Sequence, residues 1–473
     1  MTTRSSSKDR LRASNNALRF LRSVNRLVGP ENANLAKAFQ FNCSDRSLRR
    51  SGGWRRNDDD EESPDEDGLV DEISTEIATT GSLFSRAEDF WHAVGWAFNC
   101  SLVYPKRWER WKLWLGLMLD VLEEDWRARE DAAHAEVARG DEGEAVDAPM
   151  ANSIISKYLQ LGSSRYGGAR RVVRAIFADA GQSSLREFKE VFHNETIERR
   201  EGNNGMKKMQ DIQINIDEDI YGDYLCSDES DGDGDGSIVA GDPSRTQEHN
   251  SPILKPKKTS EKKAGARNEI DSVDGFDLLG GVEAFTLRQR LLALLSDVSA
   301  NLPTHFTPLD SLYNTYSEHI RPLPLPTFAL VLSPTLLPST FTPSARSSLI
   351  QLILLSLIST SAPLPPESAN DELDQDILQT CFLPYPANTN NATDNAKVSL
   401  LVEALLRLLA HHIGLDGTPE LKEAVERGIA AREAKTAKPD RRSRGGSKGD
   451  AEKARFWMGM SAIRLRAVVE DAG

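Results

Sequence analysis

YPKRWERWKLWLGLMLDVL, residues 104–122, carries three tryptophans within seven positions. Tyr104, Trp108, Trp111, Leu115, Met118 and Leu122 advance by steps of 4, 3, 4, 3 and 4. That is the period of one helical face. Trp114, Leu117 and Val121 widen the face on one side. A stripe this broad predicts a helix with partners on more than one side. Pro105 suits the first turn, where its missing N–H costs nothing. Upstream, Phe84, Phe90, Trp91, Val94, Trp96 and Phe98 mark a preceding helix, and the short join between the two predicts a helical hairpin. Helical spacing makes the tryptophans core residues before it makes them the walls of a ligand pocket.

Outward from this hairpin the same period recurs. Leu18, Phe20, Leu21, Val24 and Leu27 predict helix within 14–42, broken at Gly29–Pro30. Helices are expected near 151–161, 168–179 and 184–200. A second block spans 282–431. It holds a stripe at Leu287, Leu291, Leu294, Leu295 and Val298, and another over Val398–Leu409. Residues 349–358 are apolar on nearly every side, which predicts a buried central helix. That run is far short of the roughly 20 residues that span a bilayer. Residues 451–470 predict a last helix with Phe456, Trp457, Met460, Ile463, Leu465 and Val468. No alternating strand pattern stands out. The expected class is mostly α: an irregular helical bundle or helical-repeat-like modules with long disordered charged linkers. The expected order is an N-terminal helical segment (1–43), an acidic linker (44–80), a Trp-rich helical domain (83–200), an acidic then basic linker (201–280), a second helical domain (281–431), a basic linker (432–450) and a C-terminal helix (451–473).

The net charge of −14 is concentrated. Residues 57–67 hold eight carboxylates and 213–242 hold ten, with no Lys or Arg in either, so the remainder of the chain sums to +4. The acidity belongs to two tracts and the rest is mildly basic. Such tracts suit basic partners such as histones or ribosomal proteins. Cys43, Cys100, Cys226 and Cys381 lie far apart and form no CxxC pair. Reduced thiols and an intracellular protein are expected. The polar N-terminus lacks the apolar core of a secretory signal.

DGDGDGSIVAGD, residues 231–242, matches a calcium loop in part. Asp231, Asp233 and Asp235 stand at ligand positions 1, 3 and 5, Gly236 at the turn and Asp242 at position 12. Asp at position 12 reaches less far than Glu, and the flanks do not read as helices. A solvated acidic linker is the preferred reading, and no metal is expected. Ser227 precedes carboxylates at +1 and +2, Ser230 precedes them at +1 and +3, and Ser63 precedes Pro64 inside the first tract, so all three are phosphorylation candidates. Lys255, Lys257, Lys258, Lys262, Lys263 and Arg267 have the two-part spacing of a nuclear import signal. Lys435, Lys438, Arg441, Arg442, Arg444 and Lys448 form a second basic run. Arg165, Arg170, Arg171 and Arg174 gather where a glycine-rich stretch enters a helix, a place where free N–H groups favour phosphates. The plainer reading of such residues is a solvated basic face.

No Walker, nucleophile-elbow, HExxH or dinucleotide-binding motif occurs. The adjacent His411 and His412 point to different sides of a helix, so they do not share a metal. No catalytic residues and no cofactor are expected. The sequence therefore points to a nuclear, non-enzymatic α-helical scaffold or adaptor with protein partners in a chromatin or genome-maintenance complex, and no membrane. The alternatives are nucleic-acid binding through Arg165–Arg174 and, further off, calcium regulation through 231–242.

Overall fold

In the computed structural model the described residues are 8–38, 41, 82–138, 148–163, 168–192, 275–333, 341–366, 373–437 and 448–472. Among them the fold is mostly α, and the only β feature is one bridge between Ile358 and Ala387. Helices of eight or more residues are numbered α1 Lys8–Val28, α2 Phe90–Val103, α3 Pro105–Ala138, α4 Ile154–Ser163, α5 Gly168–Ile176, α6 Gly281–Asn301, α7 Leu309–Ile320, α8 Leu325–Leu332, α9 Pro343–Leu357, α10 Ala392–His412, α11 Pro419–Ala437 and α12 Lys448–Asp471. The chain divides into two units, Met1–Thr196 with Val273–Gly473, and Ile197–Ser272. The second unit lies outside the described residues.

The hairpin forms as the spacing demands. Asp89 caps α2 by accepting the N–H of His92, and α3 starts at Pro105. Trp91, Trp96, Trp108, Trp111 and Trp126 are buried. The wide apolar face of α3 meets α2, α4, α6 and α1 at once, which is why it is wide. Gly29, at φ 81°, ends α1 in the left-handed region where a side chain is strained. The helix expected over 184–200 is shorter: Gln182–Glu187 is helical and Phe188 leaves the helix. Its ring lies against Gly95 of α2, where a Cβ would come within 2.3 Å of it.

The helices before and after residue 273 belong to one compact unit and share a hydrophobic core. Arg290 of α6 donates to Asp120 and Glu123 of α3, each at 2.8 Å, and Lys112 of α3 meets Glu283 at 2.7 Å. The centre of the C-terminal half is α10, on which α8, α9, α11 and α12 all pack. Residues Asn395–Leu406 are buried without a break. Its polar members are partnered. Asn395 accepts from Ala387 N–H and donates to two backbone carbonyls, Lys397 donates to the Arg321 carbonyl, and Glu403 receives Arg464. The apolar 349–358 run lies in α9 and its extension. It is buried on one broad side and leaves Leu355 exposed. The central helix is therefore α10. No helix among the described residues is long and apolar enough to cross a membrane.

Candidate functional site

The arginines singled out from sequence have different surroundings. Arg171, 5% exposed, is ion-paired with Asp89 and lies 3.7 Å from Glu88. Arg174 grips Glu187 with both donors at 2.8 Å, and that pairing raises its pKa further. Arg170 is exposed and sits 3.7 Å from Glu318. Arg171 thus spends its charge inside the fold, and Arg174, half-buried, spends its charge on Glu187. Arg165 lies outside the described residues. So do Asp231, Asp233, Asp235 and Asp242, Ser63, Ser227 and Ser230, and the basic group Lys255, Lys257, Lys258, Lys262, Lys263 and Arg267.

Other buried cations serve as crosslinks. Arg288 of α6 is pinned beneath the hairpin. It donates to the carbonyls of Ile176, Ala178 (2.8 Å) and Leu279 (3.2 Å), and its guanidinium lies 4.1 Å from the centre of the Phe98 ring. Burial pushes its pKa down to about 9, with Asp179 opposing. Arg432 of α11 donates to the Leu383 and Tyr385 carbonyls, at 3.1 and 3.3 Å. Gly428, one turn earlier, permits this approach, because a Cβ there would lie 1.8 Å from the Leu383 oxygen. These side chains close off backbone carbonyls, and Arg288 also lines a small cavity.

A cavity of about 20 Å³ is lined in part by Phe177, Phe285, Gln289, Phe341 and Leu349. Both amide atoms of Gln289 are buried and lack a hydrogen-bond partner among the described residues. The space suits about one water molecule, which would satisfy that amide. His411 and His412 are exposed at the end of α10. Among the described residues no group of three or more His, Cys, Asp or Glu is placed to hold a metal. Cys100 and Cys381 are both buried.

Two surfaces stand out instead. On α12, Ala454, Met458, Ser461, Leu465 and Val469 face inward against α10. Arg464 clamps Glu403, and Arg466 clamps Glu426 at 2.6 and 2.8 Å. The opposite side presents Phe456 (67% exposed), Met460 and Ile463 (60%) at spacing i, i+4, i+7. Sequence reading placed buried and exposed members of this helix in one apolar set. Plotting them on a 3.6-residue wheel separates the two stripes. The other surface is the basic outer side of α1, where Arg12, Arg19 and Arg26 are exposed. The seven-residue spacing of these arginines was the signal available in sequence.

No protein-family model, curated protein or solved structure matches this chain.

Proposed function

We propose that this chain is a non-enzymatic helical scaffold acting in the nucleus, which holds protein partners on presented helix faces. The observation that carries the reading is the ridge Phe456–Met460–Ile463. A helix seated on its buried stripe and gripped from either flank by an arginine–carboxylate fork holds its outer side in a fixed position. Three large apolar side chains in register on that other side expose surface that burial would stabilise by about 25 cal/mol per Å². The occupant that fits is an amphipathic helix of another protein, laid along the ridge with its own i, i+4, i+7 anchors. Lys453 and Arg455 flank the ridge, are exposed, and form no salt bridge with a described carboxylate. The partner helix is therefore expected to carry Asp or Glu beside its apolar stripe.

The nuclear assignment rests on the basic group Lys255–Arg267, and the basic partners on the acidic tracts 57–67 and 213–242. A chromatin or genome-maintenance complex is the setting these charges suit. The test is tagged purification from the native cell after nuclease treatment, with wild type and a Phe456→Asp/Ile463→Asp variant compared by mass spectrometry. The reading expects a stoichiometric set of nuclear proteins that survives nuclease, and loss of at least one member in the variant. Identical sets from both chains would remove the ridge from the account. Light scattering of the purified chain separates a second copy on the ridge from a foreign partner.

A further inference from the structure

The outer side of α1 has a different chemistry from the α12 ridge. The helix carries six Lys and Arg against one carboxylate, Asp9. Arg22 is taken up by Asp120 at 3.2 Å. Arg12, Arg19 and Arg26 are exposed, and none forms a salt bridge with a described carboxylate. Residues seven apart differ by only about 20° around a helix and by about 10.5 Å along it. The three guanidinium groups therefore belong to one row on one side.

The row is held in place. Asn15 accepts from Arg110, and Asn25 donates to the Asp120 carbonyl, so α1 lies alongside the first half of α3. Leu18 and Leu21 pack inward. About 100° round the helix from the row, Phe20 is 67% exposed. Planar guanidinium forks spaced along a line suit a repeating phosphate backbone. An exposed aromatic ring on the adjoining side of the same helix suits an unpaired base. A lipid surface needs a broad apolar face sunk among acyl chains. The apolar side of α1 is already used against α3, which leaves little more than Phe20, Leu27 and Val28.

We propose that α1 is a contact surface for single-stranded nucleic acid, with Arg12, Arg19 and Arg26 taking backbone phosphates and Phe20 stacking on a base. This surface is separate from the α12 ridge and from the Arg165–Arg174 region, and it stands whether or not the scaffold reading does.

The experiment is fluorescence anisotropy of the full chain with labelled single-stranded DNA and RNA across a salt series. Three variants are compared: R12Q/R19Q/R26Q, R12K/R19K/R26K and F20A. Wild type should bind, with affinity falling linearly on a log–log salt plot. The Gln variant should weaken binding by at least about tenfold at low salt and flatten the slope by about 2, at roughly 0.7 per phosphate for single strands. The Lys variant keeps the slope. F20A loses about tenfold with the slope intact. Absence of binding by wild type, equal binding by the Gln variant, or binding to phosphatidylserine vesicles in place of nucleic acid would each overturn the proposal.

Discussion

Two helices of this protein are rich in arginine, and their arginines do opposite things. In α5, Arg171 is buried against Asp89, and the half-buried Arg174 is held by Glu187. In α1, Arg12, Arg19 and Arg26 face water, and no described carboxylate pairs with them. The density of positive charge along the chain is similar. What differs is the company each helix keeps. Asp89 lies 82 positions from Arg171, and only the packing of α2 on α5 brings them together. A basic run becomes a basic surface only where the fold supplies no acid to answer it.

Removing a member of each set should measure this difference. Arg171→Leu leaves Asp89 largely buried without its cation. Asp89 also caps α2 through the His92 N–H, at 2.7 Å, so the loss reaches the hairpin. Breaking a buried pair from one side costs about 3–5 kcal/mol. Urea unfolding should show a loss of that order. A loss below about 1 kcal/mol would mean that Arg171 is effectively solvated and the contrast with α1 is false.

The same hairpin is sensitive at Gly95. A methyl group there would meet the Phe188 ring at 2.3 Å. Gly95→Ala is therefore expected to destabilise the chain by about 1–3 kcal/mol through overpacking, despite the better helix propensity of Ala. A Gly95→Ala/Phe188→Leu double variant should recover part of the loss, and equal stability of the single and double variants would argue against this contact.

These two sites also mark how far the sequence could be read. The hairpin was legible because Tyr104, Trp108, Trp111, Leu115, Met118 and Leu122, stepping by 4 and 3, admit one periodicity, and the Gly29–Pro30 stop because both residues oppose helix. The early end at Glu187 was not legible. It depends on Phe188 fitting against a glycine more than ninety positions earlier. The centre of the C-terminal half was misjudged for a similar reason. Residues 349–358 look most buried by composition, yet α10 is central, because its Asn395, Lys397 and Glu403 find partners on other segments. Periodicity reports which side of a helix is apolar; it does not report which polar side chains will be satisfied. The Phe456 ridge shows the converse case, since an apolar residue at helical spacing need not face the core.

Where α3 meets α6, two acids come near each other. Burial, with Glu130 adding to it, raises the Asp297 carboxyl from 3.8 to about 7. The folded chain then binds a proton that the unfolded chain has released, so this group's contribution is favourable below about pH 4 and is lost as pH rises through 7. Asp297→Asn should leave stability nearly unchanged at pH 4. It should raise stability at pH 8 by roughly 1 kcal/mol or more, because a tenfold change in proton affinity between the unfolded and folded chains corresponds to about 1.4 kcal/mol. Unfolding midpoints at the two pH values check the sign. A variant less stable at pH 8 would show that ionised Asp297 has a favourable partner.

The smallest effect is expected where the charge is most exposed. R12Q/R19Q/R26Q removes three positive charges from α1 and breaks no ion pair with a described carboxylate. Surface substitutions away from such features change stability by about 0.5 kcal/mol or less each. Relief of repulsion along a helix with six cations and one carboxylate should offset part of any loss. The unfolding midpoint of the triple variant should therefore sit close to wild type, while Arg171→Leu alone shifts it by several times more. A large loss in the triple variant would show that α1 answers its charge after all, through carboxylates on segments beyond the described residues. The two arginine-rich helices would then differ in where their acids lie, and no longer in whether they have them.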